Sequence, residues 1–143
     1  MPKILALLII IPLSSLSITG YSNVLAGQSK NRLIVYYFHR TVRCPSCILL
    51  EELTRDAVKS GFEPEMKNGR VELKIINVDD STNAHFEAHY NLSVQSVILS
   101  MVVNGDEKKW KNLDHVWEYL HEEDKLIHYI QNEIHLYLNG AKG

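Results

Sequence analysis

Two cysteines, Cys44 and Cys47, restrict this chain more than any other feature, and they are the only two in its 143 residues. They form the run Cys44-Pro45-Ser46-Cys47, directly after a segment of β-branched and aromatic residues and directly before an amphipathic one. A bridge closing so short a loop removes almost no entropy from the unfolded chain, so a disulfide-stapled scaffold is excluded. A structural zinc site needs four ligands, and no second cysteine pair is available to complete one. What remains open is a dithiol used for its own chemistry, redox exchange or capture of a soft ion, or else two unrelated thiols, at a strand-to-helix turn.

The flanking sequence supports that placement. Residues 33–39 (LIVYYFH) read as a strand buried on both faces. From Pro45 onward, Ile48, Leu49, Leu53 and Ala57 separate from Glu52 and Asp56 as the two faces of a helix. Gly61 is expected to end that helix, with residues 64–70 as a loop that turns at Asn68-Gly69. Residues 71–78 (VELKIINV) are a second strand, and Asp79-Asp80-Ser81 is expected to cap a short helix over 82–90. Residues 97–103 (VILSMVV) form a third strand. Asn104-Gly105 is a strong hairpin signal, and residues 107–110 return as an edge strand whose lysines discourage further pairing. Residues 113–138 read as an amphipathic helix stopped by Asn139-Gly140. Asp124 falls on its apolar side, which predicts a kink, or two helices meeting, near Glu122.

This order implies an α/β fold: a central mixed four-stranded sheet flanked by helices, with a parallel pair joined by a crossover and then an antiparallel hairpin. Residues 1–26 stand apart, with Lys3 as their sole charge, an apolar run interrupted by Pro12, and small residues before position 27. They read as a secretory signal peptide, too short in uninterrupted apolar length to span a bilayer, leaving residues 27–143 as one domain. A net charge of −2 excludes nucleic acid as the main partner.

Cys44-Pro45-Ser46-Cys47 in this element order resembles the thioredoxin-like fold and its redox motif, over nearly all of the chain beyond the leader. The local chemistry agrees. Cys44 occupies an N-cap position and Pro45 the first helical one, where its missing N–H costs nothing. Free amides and the helix dipole there favour a thiolate, and His39, Arg40 and Arg43 add positive charge. Cys47, one turn on, falls on the inner side. The resemblance implies that the Cys44 thiolate attacks a substrate disulfide and Cys47 resolves the mixed disulfide.

Departures from the family pattern are equally specific. Ser96 stands where thioredoxins carry a cis-proline, and because a cis bond before a non-proline residue costs about 3 kcal/mol, Gln95-Ser96 is expected to be trans. No acid on the first strand replaces the buried carboxylate that assists the inner cysteine, so Tyr37 or His39 is the candidate substitute. Arg43 replaces the aromatic residue that usually precedes the first cysteine.

Within the superfamily, YYFH followed by the cysteine pair, with Val116-Trp117 late in the chain, is similar to small exported proteins of the ArsF family. That family is a subunit of a nitrophenyl-compound reductase linked to aromatic arsenical resistance. The resemblance implies a bacterial, periplasmic or secreted electron-relay monomer, partnered by a membrane thiol-electron carrier or a partner reductase and free of the membrane once its leader is removed. There is no G-x-G-x-x-G for a flavin or nicotinamide, so no cofactor is expected. The alternative reading, raised by Ser96, is a module that holds Cu(I) or trivalent arsenic between the same thiols.

Other candidates are more simply structural. His85 and His89 share a short surface helix, and His121, His128 and His135 border the apolar stripe of Trp117, Ile127, Ile130 and Ile134.

Overall fold

The computed structural model describes residues 31–140, so the expected leader lies outside the described residues. The first strand, β1 (Asn31–His39), begins two residues earlier than expected and is sealed from Leu33 to Phe38. It lies in the middle of a four-stranded sheet with β2 (Val71–Asn77), β3 (Ser96–Val103) and β4 (Asp106–Asn112), in the order β2-β1-β3-β4. β1 runs parallel to β2 and antiparallel to β3, and β3 runs antiparallel to β4. With helices between β1 and β2, between β2 and β3, and after β4, this is the thioredoxin-like α/β arrangement.

Because β1 is central, its alternate side chains serve two cores. Leu33, Val35 and Tyr37 face α1 (Pro45–Lys67) and α3 (Glu123–Gly140), where Leu50, Ala57, Ile130 and Ile134 complete the larger cluster. Ile34, Tyr36 and Phe38 face the other way, onto Phe86 and Tyr90 of the short α2 (His85–Tyr90). That two-sided burial is why the strand reads as an unbroken apolar run.

Four expectations need correction. Gly61 does not end the first helix, and residues 64–67 are not a loop: α1 continues to Lys67 across a break at Phe62 (φ −138°, ψ 27°). The break lets Phe62 bury its ring against His135, at 4.7 Å between centroids, and lets Pro64 open a fresh turn where a ring in an unbroken helix would clash. A Cβ on Gly61 would meet Gln131 Nε2 at 2.8 Å, so the residue is there for close packing with α3 rather than to stop a helix.

Asp79-Asp80-Ser81 caps nothing. Helix α2 starts only at His85, with no side-chain cap, because Asp79 turns instead to the Thr41 N–H. Strand β4 is longer than 107–110, spanning Asp106–Asn112, since register with β3 is retained after a bulge at Met101/Val102. Asn104 (φ 55°) and Gly105 (φ 92°) make the expected hairpin turn, both left-handed as such a turn requires.

Residues 113–138 are not one helix. A single 3₁₀ turn (Asp114–Val116) precedes α3, which starts at Glu123 and runs through Gly140, the last described residue. The interruption falls where Asp124 predicted it, and the reason is visible: Asp124 is an exposed residue of the first helical turn, where the dipole favours an acid. His121 therefore lies outside α3, and no row of three histidines forms on it. Among the described residues no helix is long and apolar enough to cross a membrane.

Candidate functional site

Cys44 lies just past the C-terminal end of β1, at the N-cap of α1, and Cys47 lies in the first turn. The two are joined by a disulfide with Cα atoms 5.0 Å apart. Cys44 is exposed, whereas Cys47 is only 3% exposed, so one sulfur-bearing residue is placed outward and the other inward. The Cys44 sulfur accepts a hydrogen bond from the Cys47 N–H at 3.1 Å. A side chain that caps a helix through sulfur is better suited to that job as a thiolate, because the amide and the dipole both favour negative charge. Pro45 takes the first helical position, as expected, and Ser46 follows it half-buried.

The three basic neighbours are each engaged. Arg40 bridges Asp79 at 3.0 Å and Glu87, tying the turn before the cysteines to α2. Thr41 adds its N–H to Asp79 at 2.7 Å, and that bond, with Arg40, holds the Asp79 carboxyl below the usual range. His39 turns Nδ1 toward the Arg40 carbonyl at 2.9 Å, and its ring lies 6.2 Å from that of Tyr37. Arg43 pairs with Glu51, which also takes Arg55 at 2.7 Å. Burial works to raise the Glu51 carboxyl, but Arg55 and Arg43 outweigh it and hold it low.

Tyr37 is the residue under the motif. Its hydroxyl donates to the Cys47 carbonyl at 2.5 Å and lies beside the Arg43 guanidinium. Burial pushes its phenol up to about 12 against the pull of Arg43, so at neutral pH it donates and does not act as a base. Of the two candidates named for the missing carboxylate, Tyr37 hydrogen-bonds to the cysteine turn, and His39 turns its Nδ1 to the Arg40 carbonyl.

Glu51 is a site residue that the sequence analysis does not single out. The signal it missed is the spacing: Glu51 follows Cys47 by four residues and therefore shares its helical face.

Opposite the cysteine turn, β3 opens at Ser96, paired in register with Phe38. No described peptide bond is cis, so Gln95-Ser96 is trans as expected. Ser96 Oγ donates back to the Val94 carbonyl at 2.9 Å, a local bond that holds the loop without a proline ring. The Gln95 carbonyl accepts from Trp117 Nε1 at 2.9 Å, which gives Trp117 a definite role at this end of the sheet. Beside the loop lies a cavity of about 110 Å³ whose lining includes Gln95, Ser96, Asp114 and Trp117. Among the described residues no three His, Cys, Asp or Glu come together as metal ligands.

Comparisons with known proteins give no matching family model and no matching curated protein. Solved structures similar to this chain include the oxidised thioredoxin of Plasmodium falciparum (14% identity, 66% of this chain and 83% of that one, TM-score 0.39). Others are thioredoxin O2 of Arabidopsis thaliana in its oxidised state (21%, 62% and 75%, 0.36) and a Fasciola hepatica thioredoxin (20%, 64% and 81%, 0.34). The fold assignment stands on strand order and direction: a thioredoxin-like domain with a disulfide at the N-cap of its first helix.

Proposed function

We propose that the protein is an exported thiol–disulfide oxidoreductase that relays electrons between a membrane thiol carrier and a partner protein. One observation carries this reading: Cys44 and Cys47 are bonded to each other at a helix N-terminus, one sulfur accessible and the other enclosed. In the reducing direction, the Cys44 thiolate attacks a substrate disulfide and expels one substrate sulfur as a thiolate. Cys47 then loses its proton and attacks Cys44, releasing the second substrate sulfur. Two electrons pass to the substrate, and the Cys44–Cys47 bond forms.

The finer assignment is the resemblance to the ArsF family. In that reading the protein is the relay subunit of a nitroaromatic-reducing system, and another subunit supplies the flavin or nicotinamide chemistry.

Equilibration in glutathione buffers of graded potential, quenched by alkylation, tests the exchange reading. A reversible two-electron transition is expected, with Cys44 alkylating as a thiolate below the ordinary thiol pKa of about 8.5. An unperturbed Cys44 and a pair that never cycles would refute it. Cys47→Ser, which stalls exchange at the mixed disulfide, would carry the partner covalently on Cys44. A nitroreductase subunit on that bond supports the finer reading, and an unrelated partner removes it.

A further inference from the structure

We propose that Arg43 supplies a charged hydrogen bond to the Cys47 sulfur once the disulfide opens, with Glu51 and Tyr37 as the residues that position it. This rests on the exchange reading and extends it to the thiol that closes the cycle.

Cys44, Cys47 and Glu51 follow one another at spacings of three and four along α1, so all three share one helical face. Arg43 starts one residue before the N-cap and ends with Nη2 on Glu51. Its side chain therefore runs along that face, past Cys47. The guanidinium is fixed at its tip by Glu51, which Arg55 holds from the other side, and it lies beside the hydroxyl that Tyr37 donates to the Cys47 carbonyl. Short of that tip, Arg43 Nε is sealed from water and has no hydrogen-bond partner.

A buried N–H without an acceptor is rare in folded proteins and asks for an explanation. Disulfide sulfur is a weak acceptor, whereas a thiolate is a strong one. Reduction thus creates, on the same helical face, the acceptor that the oxidised site lacks.

The surrounding groups leave no better role for the cluster. Tyr37, from β1, is a donor at neutral pH, and Glu51 is held ionised by two guanidiniums, so neither is poised to take the Cys47 proton. His39, also from β1, turns to a backbone carbonyl. The proton leaves to solvent, and Arg43 stabilises the thiolate that stays. That thiolate then attacks the Cys44 sulfur. The bond from Cys44 to the substrate breaks with its electron pair on the substrate sulfur, which takes a proton from solvent.

The test uses the Cys44→Ser protein, in which Cys47 is the single thiol and Ser keeps a competent N-cap. Its titration is followed by the ultraviolet absorbance of the thiolate. Adding Arg43→Met is expected to raise the Cys47 midpoint by about one pH unit or more, a tenfold loss of thiolate at a given pH. Arg43→Lys, which keeps charge but has no Nε–H fork, should raise it less. An unchanged midpoint in Arg43→Met overturns the proposal. Should circular dichroism show that this variant does not fold, Glu51→Gln decides: a raised midpoint supports the positioning role, and an unmoved one removes it. Titration needs no exchange partner, so failure of the native protein to cycle with glutathione would refute the oxidoreductase reading separately.

Discussion

Replacing Tyr37 by Phe should produce a stability difference that disappears in alkali. The ring is completely buried and Phe keeps its shape, so no cavity forms and the perturbation is the hydroxyl alone. At neutral pH the variant loses the 2.5 Å bond to the Cys47 carbonyl and the oxygen beside Arg43. Such a loss costs about 1–2 kcal/mol. The phenol also titrates. Its folded value is raised from 10.0 to about 12, chiefly by burial, while the unfolded chain keeps the ordinary value.

A raised folded pKa contributes stability that is complete below the unfolded value and is lost as pH climbs through the folded one. Between pH 10 and pH 12 the unfolded wild type sheds this proton before the folded protein does. Two pH units correspond to about 2–3 kcal/mol, enough to cancel the neutral-pH advantage. Urea unfolding of oxidised wild type and Tyr37→Phe, compared across that range, reads the effect. Tyr36, Tyr90, Tyr129 and Tyr137 are also raised, but they are present in both proteins and drop out of the difference. The two stability curves should converge and meet above pH 10. Parallel curves would show that Tyr37 is not held neutral by its site, and the account of the Cys47 turn would fail with it.

Three further outcomes are expected. Glu107 accepts from Ser100 and Tyr90, both at 2.5 Å, and from His89 at 2.7 Å; burial opposes its ionisation, but these donors hold its carboxyl low. Glu107→Gln should therefore cost about 2 kcal/mol near neutrality, with the gap to wild type shrinking as pH falls below about 4 in acid-unfolding curves. Phe62→Ala should lower stability by about 3–5 kcal/mol in urea titrations, because the ring at the α1 break is 1% exposed and its loss leaves a void. Gly61→Ala should cost about 1 kcal/mol in the same assay, since the added Cβ displaces Gln131 from its 3.0 Å bond to the Ala57 carbonyl; an unchanged midpoint would mean that Gln131 relocates freely.

The cysteine turn was legible because its determinants are local. A buried strand, an N-cap, a proline at the first helical position and an inward residue one turn later all lie within about fifteen consecutive residues of sequence. The Asn104-Gly105 hairpin was legible for the same reason. The run through Gly61 to Lys67 misled, because Gly and Pro punctuate most helices, whereas here Phe62 gains enough by burial to hold two helical pieces in line. Residues 113–122 misled in the opposite sense: their apolar spacing suits a helix, yet Leu113, Val116 and Leu120 reach the core from a 3₁₀ turn and loop.

The sequence by itself determined the element order, the place of the dithiol and which cysteine faces out, since these follow from periodicity and capping within a few residues. Only the tertiary structure decided how the charges are spent. Arg40 meets acids 39 and 47 residues away, and Glu107 gathers donors from α2 and β3. The reason is physical: a long charged side chain takes whichever partner the packed backbone brings within reach, and that partner is fixed by the sheet order rather than by neighbouring sequence.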